Sequence, residues 1–199
     1  MAPSEVDGVE EIANGSVNGA KNAAIRKLQH ELGIPKQQLV TLDFCFVTRL
    51  HYWAADTVTH GPKSPYGEHE IDYVLLARLE NAESTLSMTP HPEEIQDTKW
   101  VSRNELQSML NDSSLLMSPW FRIICDKWLL RQWWVNLDDT FHGKFHDFET
   151  IHTFDPPSEH IGGAGNANRL FDTTENDGKA VNVKLSKGGD ARFVFDTAS

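Results

Sequence analysis

The chain has 199 residues, of which 39% are hydrophobic and 24% charged, with a net charge of −11. That length suits one domain with tails, and the low apolar content leaves part of it without a core to join. The acidic balance argues against a nucleic-acid surface or an anionic membrane surface as partner.

Two cysteines, Cys45 and Cys125, stand far apart in apolar stretches with no CxxC or Cys/His spacing. They read as reduced, buried thiols, each without a His beside it in sequence. No run of 18 apolar residues is present. The acidic N-terminus has no apolar h-region, so an intracellular, cytoplasmic protein is expected.

Residues 1–17 carry Glu5, Asp7, Glu10 and Glu11 and no Lys or Arg, the pattern of a flexible acidic leader. From about Asn18 to Leu32 the residues Ala20, Ala23, Ala24, Leu28 and Leu32 keep helical spacing. Gly33 is the stop, followed by Pro35. Residues 39–54 are rich in strand formers and predict one long strand with room for a bulge. Gly61-Pro62 and Pro65 mark a loop over 56–67. Residues 68–79 predict a second strand, and Ile71, Tyr73, Val74, Leu75 and Leu76 predict burial on both of its faces.

A short strand is expected near Asp97–Val101. Ser102-Arg103-Asn104-Glu105 is a capping box, so a helix should run over about 103–110. Pro119 behind Ser118 is a helix N1 position. The helix that follows, to about Leu137, carries Trp120, Phe121, Ile123, Ile124, Trp128, Leu129, Trp133 and Trp134. After Phe154, Pro156-Pro157 breaks the chain, and 156–199 holds six of the 13 glycines. This predicts a mostly disordered tail over 155–199, with Ala191–Phe195 as its one strand-like stretch. The element order gives an α/β (α+β) domain over 18–154. Three good strands are few for a self-sufficient sheet.

Chemistry concentrates in two places. On a strand, Glu68 and Glu70 project from one face and His69 from the other. Two neighbouring carboxylates repel unless a cation or proton lies between them, so the pair suits a divalent metal or a metal ligand doubling as acid/base. Without such an ion it is a solvated strand start. The second place is Arg26-Lys27-Leu28-Gln29-His30-Glu31-Leu32-Gly33-Ile34. Tyr52 falls on a strand near Glu70, where it is either core or a proton relay. Trp120 is either packing or a cation-stabilising π-face.

The Arg26–Ile34 segment resembles a degraded Nudix box. Arg26, Leu28, Glu31, Gly33 and Ile34 match, whereas Lys27 and His30 stand where two acids are expected. Together with Thr48-Arg49-Leu50-His51-Tyr52, Tyr66-Gly67-Glu68-His69-Glu70-Ile71-Asp72-Tyr73 and Ser118-Pro119-Trp120-Phe121, the chain resembles the eukaryotic type I isopentenyl-diphosphate isomerase family over roughly 18–154.

That resemblance implies a Nudix-like mixed sheet flanked by helices, incomplete at the N-terminus. It also implies interconversion of isopentenyl and dimethylallyl diphosphate by 1,3-allylic proton transfer. In that reading Glu70 is the acid/base and binds a Zn²⁺- or Mn²⁺-type ion with Glu68. Tyr52 assists the proton relay and Trp120 faces the cationic carbon. Glu31 holds a diphosphate-bridging Mg²⁺, and Lys27 contacts the diphosphate.

The family's Trp-Thr-Asn-x-Cys-x-x-His-Pro segment and three metal-binding histidines have no counterpart in these residues. The resemblance therefore implies a truncated homologue, impaired or inactive as given. A Nudix-like diphosphate hydrolase and a non-catalytic module associating through an exposed sheet edge are the alternatives.

Overall fold

The computed structural model describes residues 6–55, 60, 66–115, 117–154 and 179–182, without the side chains of 53, 55 and 179–182. The chain order is α1 (Val9–Asn14), α2 (Asn18–Leu32), α3 (Lys36–Leu39), β1 (Asp43–Ala55), β2 (Gly67–Arg78), α4 (Ala82–Thr85), α5 (Arg103–Asn111) and α6 (Pro119–Ile124). A π-helical stretch (Cys125–Trp133) and a 3₁₀ turn (Trp134–Asn136) then lead into α7 (Leu137–Phe141), followed by β3 (Thr150–Phe154) and β4 (Lys179–Asn182). Among the described residues the sheet has four strands in the order β2-β1-β3-β4. It is mixed: β1 runs antiparallel to β2 and parallel to β3, and β3 runs antiparallel to β4.

The bulge in β1 decides what the site contains. Phe46 pairs with Leu75 but Thr48 pairs with Val74, so Val47 is the extra residue. One inserted residue reverses the facing of everything beyond it. Phe46 therefore lies on the Tyr73 face, with its ring 5.4 Å from that of Tyr73. Beyond the bulge, Leu50, Tyr52 and Ala54 turn to the opposite face. There they join Val47, Val74, Ile123, Ile124, Trp133 and Phe154 in the main core. Without the bulge, Tyr52 would point away from that core.

β2 corrects one expectation. It is an edge strand, and of its residues only Val74 is buried. Ile71, expected inside, is 42% exposed. Parallel-like burial on both faces requires a neighbour on each side, and among the described residues β2 pairs with β1 alone. Its outer end carries Glu68, Glu70 and Asp72, charges that oppose edge-to-edge pairing.

Two further expectations change. Asp97–Val101 forms no strand, because no ladder partner meets it among the described residues. The supposed leader holds α1. Asp7 takes hydrogen bonds from the Gly19 and Ala20 amides, the latter at 3.0 Å, and so caps α2 from a distance in sequence. Gly19 makes this possible, since a Cβ there would lie 2.6 Å from the Val6 backbone.

The expected strand over 191–195 lies outside the described residues, as does the 56–67 loop apart from His60, Tyr66 and Gly67, the last of which already belongs to β2. Of the tail, only Lys179–Asn182 is described, and it is strand.

Other local signals act as their chemistry dictates. Ser102 accepts from the Glu105 amide, and Glu105 accepts from the Ser102 amide at 2.8 Å, completing the box at the start of α5. Pro119 is the first residue of α6. Gly33 ends α2 at φ 62°, and a Cβ there would lie 2.2 Å from the Thr89 carbonyl oxygen. The approach is close because Thr89 and His91 donate amides to the Leu32 and Glu31 carbonyls, both at 2.8 Å. Gly33→Ala should therefore destabilise the fold by about 2 kcal/mol or more, read as a lowered urea midpoint at unchanged m-value.

Candidate active site: a carboxylate row over a buried tyrosine

β1 and β2 build the site jointly. Tyr52 pairs with Glu70, Ala54 with Glu68 and Leu50 with Asp72, so all six share one face. Tyr52 is 1% exposed, and its hydroxyl donates to Glu68 Oε2 at 2.7 Å. Burial first, then the Glu68 hydrogen bond and the surrounding carboxylate charge, pushes the phenol well above its ordinary pKa. Tyr52 therefore stays protonated and works as a donor.

Asp72 is the residue that sequence reading missed. Alternation beyond Glu70 could have found it, since Glu68, Glu70 and Asp72 lie at i, i+2 and i+4. Burial, then Glu70, then Glu68 pushes its carboxyl up to about 6. The row thus holds more negative charge than its surroundings offset.

That shift has a sign. The folded state binds this proton more tightly than the unfolded chain, whose aspartate titrates at its ordinary value of 3.8. Asp72 therefore contributes stability that is full below about pH 4 and lost as pH rises through about 6. In chelator-treated protein, Asp72→Asn should raise stability at pH 7 by roughly 1–2 kcal/mol, a figure reduced for solvent screening. It should also flatten the pH dependence between those values, as urea melts at stepped pH would show.

Trp120 is the second residue of α6, one turn before Ile123 and Ile124 and hence on the same helix face. Those two residues pack in the Tyr52 cluster, while Trp120 is 38% exposed with its ring edge-on to Phe121. It thus stands beyond the rim of the core that carries Tyr52.

The two α2 candidates divide. Lys27 forms an ion pair with Glu31 across one turn, and that hydrogen bond and charge hold the ammonium above its usual pKa. Lys27 also lines a cavity of about 640 Å³ with Asp7, Asp72, Tyr73 and Leu75. Glu31 is not among the described residues lining it. The structure therefore places Lys27, with Glu31 paired to it, at a cavity that reaches Asp72 but is lined by Tyr73 and Leu75 of the face of β2 opposite the row.

The cysteines stand apart from the row. Cys45 pairs with Leu76, seven residues along β1 from Tyr52, or roughly 23 Å of strand. Its thiol lies 2.9 Å from His146 Nε2, a neighbour 101 positions away that no local pattern could reveal. Burial and then Asp43 push Cys45 up to about 11, so this contact is a neutral clasp between β1 and the segment after α7. Cys125 is fully buried against Leu106, Leu110 and Leu130.

Among the described residues, no group of three His, Cys, Asp or Glu converges as a ready metal cage. The row itself is an oxygen-only donor set. Such donors fit a hard divalent ion such as Mg²⁺ or Mn²⁺ better than an imidazole-rich zinc site. The raised Asp72 carboxyl marks the uncompensated charge that such an ion would relieve.

A helix ending in an Arg-x-Leu-x-x-Glu-x-Gly turn, laid on a mixed sheet with carboxylates on one strand, is the architecture of a NUDIX domain. The NUDIX domain family pattern matches residues 12–121, and the chain belongs to that family.

Within it, the chain is similar to isopentenyl-diphosphate delta-isomerases. It is 40% identical to that of Candida albicans over 151 residues, covering 75% of this chain and 50% of the relative. It is 38% identical to that of Schizosaccharomyces pombe over 132 residues, 66% of this chain and 52% of the relative. Isopentenyl-diphosphate Delta-isomerase 1 of Bos taurus is 34% identical over 145 residues, 71% and 58% respectively. The chain spans about half the length of the curated relatives it matches. No helix among the described residues is long and apolar enough to cross a membrane.

Proposed function

We propose that this chain carries the acid–base and metal-binding face of an isopentenyl-diphosphate delta-isomerase, moving a proton across the allylic unit of a small isoprenoid diphosphate. The observation that carries this reading is Tyr52 donating to Glu68 beneath a row in which Glu70 lies directly opposite Tyr52. A buried donor beside an exposed carboxylate forms a proton-holding couple on one wall of the site.

Glu70 delivers or removes the proton at the substrate's terminal or methylene carbon. The Tyr52–Glu68 hydrogen bond fixes the wall beside Glu70, Tyr52 keeps its own proton, and solvent, which reaches the exposed Glu70, resets its protonation between turnovers. Trp120 offers its indole face to the tertiary carbon as positive charge develops, an interaction of about 2 kcal/mol or more when desolvated. Lys27 offers a cation to the diphosphate at the cavity shared with Asp72. Glu68 and Glu70 would hold an Mn²⁺-type ion, the harder of the two the resemblance implies, and Glu31 an Mg²⁺ at the diphosphate. Such ions, when bound, stabilise negative charge on the carboxylates and the diphosphate.

A hydrolase reading finds less support. Lys27 and His30 occupy positions where the NUDIX box gathers acids, so Glu31 alone remains of that set. Product analysis separates the two. The purified chain with isopentenyl diphosphate, Mg²⁺ and Mn²⁺ should yield dimethylallyl diphosphate with the diphosphate intact, at the impaired rate expected of residues with no counterpart to the Cys/His segment. Release of phosphate or of a monophosphate would favour the hydrolase instead.

A further inference from the structure

The back of the same hairpin carries a second constellation that the isomerase reading leaves unused. His51 pairs with Ile71 and His69 with position 53, so the two histidines are diagonal neighbours across β1 and β2. They lie on the face opposite the carboxylate row. Diagonal partners stand about 7–8 Å apart at the backbone, within reach of two long side chains meeting tip to tip. Their Nε2 atoms are 2.7 Å apart, with ring centroids at 4.9 Å and planes inclined by 41°. His69 is exposed and His51 half-buried, so the meeting point opens to solvent.

We propose that His51 and His69 form a two-imidazole seat for a borderline divalent transition ion of the Zn²⁺, Ni²⁺ or Cu²⁺ class, which clips β1 to β2 behind the carboxylate row. In the metal-free protein one Nε2–H donates to the other Nε2; ion binding displaces that proton, both rings taking the Nδ1–H tautomer so that both Nε2 lone pairs face the ion. Two nitrogens at about 2.0–2.1 Å from a tetrahedral ion stand roughly 3.3 Å apart. The present 2.7 Å separation therefore opens by about 0.6 Å, through rotation of the exposed His69 side chain. Among the described residues no third His, Cys, Asp or Glu converges there.

Ligand softness keeps the two faces distinct. Imidazole nitrogen selects Zn²⁺, Ni²⁺ and Cu²⁺, while the Glu68–Asp72 oxygens select harder ions. The clip joins the strand segments that hold Tyr52, Glu68 and Glu70. Its occupation fixes the register on which that alignment rests.

Calorimetric titration of the 199-residue chain with NiCl₂, in excess Mg²⁺ to saturate oxygen sites, tests this. The parent should bind one equivalent, and His51→Gln and His69→Gln should each weaken that binding by tenfold or more. His142→Gln, on an exposed imidazole elsewhere, should leave it unchanged. Cu²⁺ should bind the parent more tightly than Ni²⁺. Amide exchange gives the second readout: Ni²⁺ should slow exchange over 50–54 and 68–72 in the parent and not in His69→Gln. Circular dichroism without metal confirms that each variant is folded. Nickel binding that survives both substitutions is adventitious and overturns the proposal, as does binding that leaves hairpin exchange unchanged.

Discussion

Glu70→Gln should lower metal-dependent conversion of isopentenyl to dimethylallyl diphosphate by about 10²–10⁴-fold, the range contributed by a positioned general acid or base. The substitution keeps the shape of the side chain and removes its ability to exchange a proton. Glu70 is exposed on an edge strand, so the fold should survive. The Tyr52–Glu68 hydrogen bond does not pass through it, which leaves the lower layer of the site in place. The loss should therefore appear in kcat rather than in the unfolding midpoint. A proportional fall in both would mean that Glu70 supports the strand and not the chemistry. Steady-state rates beside urea melts on one preparation make the distinction.

Trp133→Ala should cost about 3–5 kcal/mol of stability, a large share of the roughly 5–15 kcal/mol that holds a domain folded. Trp133 is 1% exposed and belongs to the cluster that contains Tyr52, Leu50 and Phe154. Its ring lies 5.6 Å from that of Trp128, nearly parallel, and Trp128 in turn meets Phe154 edge-on. Removing the indole opens a cavity where the π-helical stretch meets the sheet, and the long helix cannot slide in to fill it. Urea unfolding followed by circular dichroism measures the cost. A loss under 1 kcal/mol would mean that this helix contributes little to holding the Tyr52 face.

Signals confined to a few residues were readable before any coordinates. Gly33, the Ser102/Glu105 box and Pro119 each carry their structural role in their own chemistry, and α2, α5 and α6 begin or end where those residues require. The long β1 strand was equally legible, because β-branched and aromatic residues fill it. What failed was non-local. Whether β2 is central or at an edge depends on its neighbours, so Ile71 was misread as buried. Thr98-Lys99-Trp100-Val101 has strand-forming side chains but no ladder to join among the described residues. The helical turn at Val9–Asn14 hides in an acidic segment because its anchor, Asp7 on the Gly19 and Ala20 amides, spans 12 and 13 positions.

The site divides the same way. Glu68 and Glu70 announce themselves by alternation, and Tyr52 by its place on β1. The bulge at Val47 that sets Tyr52 on their face leaves no unambiguous mark in sequence. Asp72 lay within the same alternating pattern and was overlooked because a lone aspartate in an apolar run reads as a surface residue. The contacts of Cys45 with His146, and of His51 with His69, arise only when strands and loops come together.

The most direct test of the account is isomerisation in D₂O. The parent chain and Glu70→Gln would be incubated with isopentenyl diphosphate, Mg²⁺ and Mn²⁺, and the product followed by mass spectrometry. The account predicts that the parent forms dimethylallyl diphosphate with deuterium in its new methyl group, and that Glu70→Gln forms almost none. A folded parent that converts no substrate, or a Glu70→Gln chain that matches the parent, would contradict it.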